Sequence, residues 1–599
     1  MSFSKSSLTS FLKEIVSSIR NFFIRNGWLI IMYTIVQFLP EFRFNPFGVS
    51  EWLWSSVPLY YINACFICII GDLIKKIVGR LWGNPFRKFW HAICHVFIYS
   101  FSFIEFYLEN AFRMRINVDV LMLLLQTNKG EATEFLQTYL FDKTFFFCVF
   151  VFAILGVTEW LLVKYKSKLN IFKHYVVTAI LSAYFCLGLH SCFCAIKTLV
   201  ADTSIEKNAN ARNTSINGNA YIKMYLMISL LRENTENSKQ LCANINDTKV
   251  LSNTQYAGKI ILIIGESHIK RHTSLYGYNK QTYPLLEKMR DSLCIYQDVI
   301  TPKNATYVVF QEILSVSSSD TNNQWFDAPL FPAIVKDAGW NVVFCSNQIQ
   351  NAKKVDEDTF STAIESFLNN IEISNACFTT RNRSKFQYDS QMLDSLLVNK
   401  TQNIDSTKPS LYIINLMGQH VAYDARFPKE HTFFKVSDYD DRKDLSQRQK
   451  QDVADYDNAC RENDLQIYRI LQSFAEEDAI IIYMSDHGEE VHDYRDHIGR
   501  SYDLSGNPSI AYHCQIDIPF IVYMTESYKR NHSEKAEQVR TSVNRPFMID
   551  DICHLLFYLG EVDTQWFNPS RCLIHPEFNA KRKRIIKATG EDYDEVIRK

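Results

Sequence analysis

Two apolar runs in this chain end in acidic turns. Ile260 to Ile264 leads into Gly265-Glu266-Ser267, and Ala479 to Met484 leads into Ser485-Asp486-His487-Gly488-Glu489-Glu490. A lone carboxylate after a strand is most often a helix cap or a solvated turn. Adjacent Asp and His side chains offer an oxygen and an imidazole nitrogen to one divalent cation, a mixture of donors that suits zinc. If the two turns converge, Glu266, Asp486 and His487 make a metal site.

Convergence requires a particular framework. Short apolar runs bounded by polar or turn residues read as buried strands at Lys259 to Ile264, Asn341 to Phe344, Leu411 to Leu416, Ala479 to Met484 and Pro519 to Tyr523. Segments of helical period lie between them, at Tyr283 to Ser292, Ala328 to Ala338, Glu357 to Asn369 and Tyr456 to Phe474. This alternation predicts an α/β domain with a mostly parallel sheet, in which active groups collect where strands reach the carboxyl edge. Both acidic turns fall there. The most polar stretch, Ser437 to Asp455, reads as a charged surface loop before a helix.

The amino-terminal part is of another kind. A chain of 599 residues exceeds one hydrophobic core. Its net charge of -1 and mean hydropathy of -0.13 exclude a strongly basic nucleic-acid binder. From Gly27 to about Leu199 the sequence is apolar and aromatic-rich, with five runs at about 27 to 45, 56 to 74, 89 to 109, 144 to 163 and 174 to 197. Each is long enough to cross a hydrocarbon core, which takes roughly 20 helical residues.

Lys5, Lys13, Arg20 and Arg25 precede the first run, Lys75, Lys76, Arg80, Arg87 and Lys88 follow the second, and Lys164, Lys166, Lys168 and Lys173 follow the fourth. The loop 46–55 has no Lys or Arg. By the positive-inside rule the amino terminus is cytoplasmic and the carboxy-terminal domain lies across the membrane, although Arg113, Arg115, Lys129 and Lys143 in the third loop run against the count. The late first run, without a small-residue cleavage pattern, reads as an anchor rather than a cleaved signal. The expected division is a five-helix transmembrane domain over 1–200, a linker and interfacial segment over 201–255, and the α/β domain over 256–599. Eight of the fifteen cysteines lie beyond the apolar half, none in a CxxC pair, so disulfides are allowed and a structural zinc knuckle is not indicated.

GESHIKRHTSLYGYNKQTYPLL from Gly265 to Leu286, SDHGEE from Ser485 to Glu490, GQHVAYDARFP from Gly418 to Pro428 and YDNACREND from Tyr456 to Asp464, with the five apolar runs, resemble the phosphoethanolamine transferases of the bacterial envelope. These belong to the alkaline phosphatase superfamily. The resemblance implies a catalytic domain in the periplasm, anchored in the bacterial inner membrane. It implies zinc held by Glu266, Asp486, His487 and a nucleophilic Thr306, and transfer of phosphoethanolamine from phosphatidylethanolamine to lipopolysaccharide lipid A or core through a phosphothreonine. Around Thr306 the chain reads Pro302-Lys303-Asn304-Ala305-Thr306-Tyr307, without the family's flanking cysteines, and Thr301 is the alternative nucleophile. His420 corresponds to a substrate-phosphate or second-metal histidine, and a further family histidine corresponds to His497 or His492, with His497 favoured by spacing. QTNKGEATEF from Gln126 to Phe135 matches the family's head-group loop, which assigns Thr127 and Glu131 to the lipid ethanolamine.

Two other readings share much of this pattern. A phosphoglycerol transferase of the lipoteichoic-acid type would use the same threonine and metal, and a membrane sensor could keep the fold without chemistry. Glu131 and the GES-to-SLYGY segment favour ethanolamine, and retention of Glu266, Thr306, Asp486 and His487 together argues for catalysis. A sulfatase is disfavoured because no Cys-x-Pro-x-Arg site is present.

Overall fold

The computed structural model describes residues 5–44, 56–112, 143–165 and 171–201 and most of 232–598, chiefly apart from 349–365, 383–385, 399–401, 495–497 and 501–507. Two compact units are present, one built around the amino-terminal helices and one around a sheet that starts after residue 233.

The first unit consists of α1 (Lys5–Phe44), α2 (Val57–Phe112), α3 (Lys143–Tyr165) and α4 (Tyr175–Ala201). Five helical stretches are long and apolar enough to cross a membrane, because α2 contains two of them, Val57–Gly79 and Trp82–Ala111. They meet at Gly79, whose φ of 84° and ψ of -171° break the helical path, a conformation glycine adopts without a Cβ penalty. α1 starts well before its apolar run, so the basic amino-terminal segment continues the first span as helix. Tyr33, Tyr61, Cys65, Cys68 and Phe172 are among the side chains that fill the interior of this unit. Asp72 joins two of the basic residues that set the expected orientation, at 3.0 Å from Arg25 and 2.9 Å from Arg87.

The second unit is organised by a seven-stranded sheet. Its strands are β1 (Lys259–Gly265), β2 (Leu293–Tyr296), β3 (Asn341–Ser346), β4 (Thr380–Arg381), β5 (Ser410–Asn415), β6 (Ala479–Ser485) and β7 (Phe520–Met524). Their spatial order is β2-β7-β6-β1-β5-β3-β4. The five strands from β6 to β4 are mutually parallel, while β7 runs antiparallel to both β6 and β2, so the sheet is mixed with a parallel centre. Leu262 pairs with Ile482 on one side and Ile413 on the other, all fully buried, as expected for a strand covered on both faces.

Two helices matter for the site. α5 (Thr306–Leu314) follows the loop after Ile300, and α6 (Gln447–Ser473) packs its Val453, Tyr456, Cys460 and Ile467 into the core. α6 begins inside the stretch read as a charged loop. Ser446 caps it by accepting from Gln449 N while the Gln449 side chain returns to the cap, a reciprocal pair that fixes the helix start.

Leu262→Ala should destabilise this unit by about 2–5 kcal/mol, the cost of a cavity in a core that cannot collapse. Thermal denaturation of the purified chain reads the drop, and an unchanged melting temperature contradicts the central place given to β1.

Candidate active site

The parallel strands deliver their carboxyl ends to one edge, and the candidate ligands follow at once. Glu266 comes directly after β1, and Asp486 and His487 directly after β6, whose last residue Ser485 pairs with Gly265. All three are buried, and their ligand atoms lie within 4.8 Å of one another, a grouping able to hold a metal ion.

Thr306 joins them as the first residue of α5. Its Oγ donates to Glu266 Oε2 at 2.9 Å and lies 3.0 Å from His487 Nε2. Ala305 provides no side-chain cap, which leaves the first-turn N–H groups of α5 without that partner beside the hydroxyl. Thr301, the alternative, is buried after Ile300 and makes no hydrogen bond to the acidic group among the described residues.

The turn after β1 is strained. Ser267 takes a φ of 55°, unusual for a residue with a Cβ. It is held there because Ser267 N donates to Asp486 Oδ1 at 3.1 Å, Ser267 Oγ to Glu266 Oε1 at 2.9 Å, and Tyr456 Oη to the Ser267 carbonyl at 2.7 Å. Gly418 approaches the same turn, and a Cβ on it would stand 3.0 Å from the backbone N and O of Glu266.

Electrostatically the site concentrates negative charge. Burial opposes ionisation of Glu266, but the His487 ring, His420 and Arg500 hold it well below the usual carboxylate range. Burial and then repulsion from Glu266 push Asp486 well above that range. Burial and Arg500 lower the His487 imidazole, and burial pushes Glu489 up to about 8. Two buried carboxylates this close cannot both stay ionised without a nearby cation.

The donor set fits a divalent ion. His487 Nδ1 lies 2.7 Å from the Gly488 carbonyl, which fixes its proton there and leaves the Nε2 lone pair toward Glu266, Asp486 and Thr306. Asp486 Oδ2 is buried, meets no hydrogen-bond donor among the described residues, and lies 3.2 Å from that nitrogen.

Two members of the site, Arg500 and Gln348, lie outside the residues singled out from the sequence. Arg500 Nη1 donates to His487 Nε2 at 2.8 Å and approaches Thr306 Oγ at 3.4 Å. Gln348, two residues past β3, donates from Nε2 to Glu266 Oε2 at 3.1 Å, and the strand-end rule that found Glu266 also points to it. His420 lies close enough to Glu266 to feel its charge, with burial pushing its imidazole down to about 3, and it makes no hydrogen bond to the acidic group among the described residues. His492 is turned away toward Asp452, at 3.2 Å. His497, Thr127 and Glu131 lie outside the described residues.

Residues 259–551 match the sulfatase family. They form a sulfatase-family domain. Over most of its length the chain is also similar to phosphoethanolamine transferase EptC of Escherichia coli, 23% identical over 86% of this chain and 84% of that protein. Phosphoethanolamine transferase EptA of Helicobacter pylori is 28% identical over 80% of this chain and 83% of its own. The structure of the integral membrane lipooligosaccharide phosphoethanolamine transferase A from Neisseria meningitidis superposes with a TM-score of 0.59 at 16% identity, covering 93% of this chain and 98% of that one. The fold therefore extends to the five apolar helices as well as the sulfatase-family domain, which is alkaline-phosphatase-like.

Beside the two acidic turns of this domain lies a buried ion cluster. His272 is gripped by Asp457 through Nδ1 at 2.7 Å and by Asp493 through Nε2 at 2.9 Å, and Tyr278 and Tyr439 also donate to Asp457. Burial lowers His272, but the two aspartates overcome it and raise the imidazole to about 10. A raised value stabilises the fold fully below the unfolded histidine value of about 6.5 and is lost as pH rises through about 10. Thermal melts between these limits should show a declining stability that His272→Gln removes; identical pH slopes for both proteins contradict the charged assignment.

Proposed function

We propose that this chain transfers phosphoethanolamine from phosphatidylethanolamine to an envelope acceptor, lipopolysaccharide lipid A or core, through a covalent phosphothreonine on Thr306. The observation that carries the reading is Thr306 Oγ, held at 2.9 Å from Glu266 and 3.0 Å from His487 at the open end of α5. The two transferases from Escherichia coli and Helicobacter pylori support the transferred group, and the five apolar helices suit a lipid donor in a bacterial inner membrane with the sulfatase-family domain in the periplasm.

Glu266, Asp486, His487 and Thr306 would hold zinc, which supplies positive charge that eases loss of the hydroxyl proton and offsets charge on the phosphoryl oxygens. The other requirements fall to the chain. Thr306 Oγ already donates to Glu266 Oε2, so its proton has an acceptor as the Oγ–P bond forms and the bond from phosphorus to the diacylglycerol oxygen breaks. That proton leaves on the diacylglycerol hydroxyl. In the second step an acceptor hydroxyl oxygen attacks phosphorus, the Oγ–P bond breaks, and the proton that the acceptor hydroxyl loses passes to Thr306 Oγ. Arg500 places a fixed cation beside the nucleophile, suited to equatorial phosphoryl oxygens. His420 and His497 are proposed for the substrate phosphate, and Thr127 and Glu131 for the ethanolamine ammonium.

Incubation with phosphatidylethanolamine and zinc, without acceptor, should add one phosphoethanolamine to the wild type and none to Thr306→Ala, read by intact mass. A phosphoglycerol gain from phosphatidylglycerol would move the reading to the lipoteichoic-acid type, and no gain from either lipid on the zinc-loaded chain would sink it.

A further inference from the structure

A second concave site lies on the sulfatase-family domain. It is a groove of about 430 Å³ lined by Leu285, Lys288, His431, Phe433, Arg461 and Glu462. Phe433 is 54% exposed although it is large and apolar, which marks a ring placed for contact rather than for the core. Arg461 lies over it with the guanidinium carbon 3.9 Å from the ring centroid, and one of its nitrogens donates to the Gln281 carbonyl at 2.7 Å. That contact orients the guanidinium and leaves further N–H groups of its fork for a ligand. His431 Nδ1 bonds the buried Glu462 carboxylate at 2.6 Å, and its own side chain is 43% exposed. Lys288 is exposed at the rim.

These residues are held from behind as active-site residues are. Asn458 Oδ1 accepts from both Phe433 N and Phe434 N at 2.8 Å, and Asp464 accepts from Leu285 N at 2.8 Å and Leu286 N at 3.0 Å. Glu462 also accepts from Gln466 Nε2 at 2.6 Å. An exposed aromatic ring packs on the C–H face of a sugar, while an oriented guanidinium, an ammonium and an imidazole match phosphate oxygens. A carboxylate–imidazole pair adds hydrogen-bonding capacity for hydroxyls.

The groove has no residue in common with the acidic group, but the two are connected through the chain segments that build them. Its three lining segments are the continuations of those that build the first site. Residues 284–288 follow Tyr283, which accepts from Gln419 Nε2 at 3.1 Å; residues 430–433 lie further along the segment that starts at Gln419, whose backbone N donates to the Glu266 carbonyl at 3.1 Å; and residues 461–465 lie more than one turn further along α6 than Tyr456, which holds Ser267. We infer that this groove binds the acceptor, a phosphate-bearing oligosaccharide, with Phe433 against a sugar ring and Arg461, Lys288 and His431 toward its phosphate. The assignment rests on the transferase reading for its role, since a transfer enzyme of this kind has a second substrate to seat.

The test uses the full chain in detergent and a deacylated lipopolysaccharide oligosaccharide as probe, with and without prior phosphatase treatment. The phosphorylated probe should bind the wild type, and Phe433→Ala and Arg461→Ala should each weaken it about tenfold, the loss of roughly one charge-assisted or cation–π contact. Lys288→Ala, at an exposed rim position, keeps the test readable if Arg461→Ala fails to fold. The donor mass gain, measured on the same preparations, reports the first half-reaction separately. Unchanged affinity in the folded variants, or equal binding of the phosphatase-treated probe, overturns the assignment. A chain that binds the probe through Phe433 and Arg461 yet never acquires the donor mass would keep the groove and lose the transferase reading.

Discussion

Burying two carboxylates against each other is the constraint around which the outer unit is arranged. Glu266 and Asp486 leave adjacent parallel strands at the same edge and are shielded from water, so their repulsion has no solvent to dissipate it. The surroundings answer with hydrogen bonds and positive charge. Ser267 N and His487 N donate to Asp486, Gln348 and Thr306 donate to Glu266, and Arg500 reaches the imidazole between them. The left-handed Ser267 is tolerated because that turn is over-determined from three directions.

Support for these turns comes from α6. Tyr456 fixes the first turn, Asp457 reaches the following segment through His272, and Asn463 donates to both Tyr283 and Tyr483. Asp493, five residues after Gly488, grips the same His272, so the two acidic turns are tied to one buried charge. A helix that packs one face into the core thus carries a second task on its polar residues.

Much of this was legible because fully buried parallel strands read as continuous apolar runs, and the residue after each run falls at the chemical edge. That logic located Glu266, Asp486 and His487 before any geometry. It missed β2, four residues long and hidden behind a segment of helical period, and it could not see that β7 runs antiparallel, since pairing direction leaves no periodicity in one strand. Thr306 came from the family resemblance, and nothing in Asn304-Ala305-Thr306 announces a helix start, because no capping side chain is present. Ser446-Gln447-Arg448-Gln449 did carry a capping signature, masked by the charged residues around it. Arg500 reaches the site from a short strand whose position depends on tertiary pairing with Glu490 and Val491.

The most direct test of the buried-charge account is the melting temperature of wild type and Asp486→Asn, each with zinc removed by a chelator and with zinc restored. Without zinc the variant should melt higher at neutral pH, because burial and Glu266 hold the Asp486 carboxyl protonated above its ordinary range, a cost the neutral amide avoids, while the Asp486 Oδ1 hydrogen bonds can persist. With zinc the wild type should rise past the variant, since only an ion bound to the folded state shifts the equilibrium. A variant that melts lower without zinc and gains as much from zinc as the wild type would contradict the account.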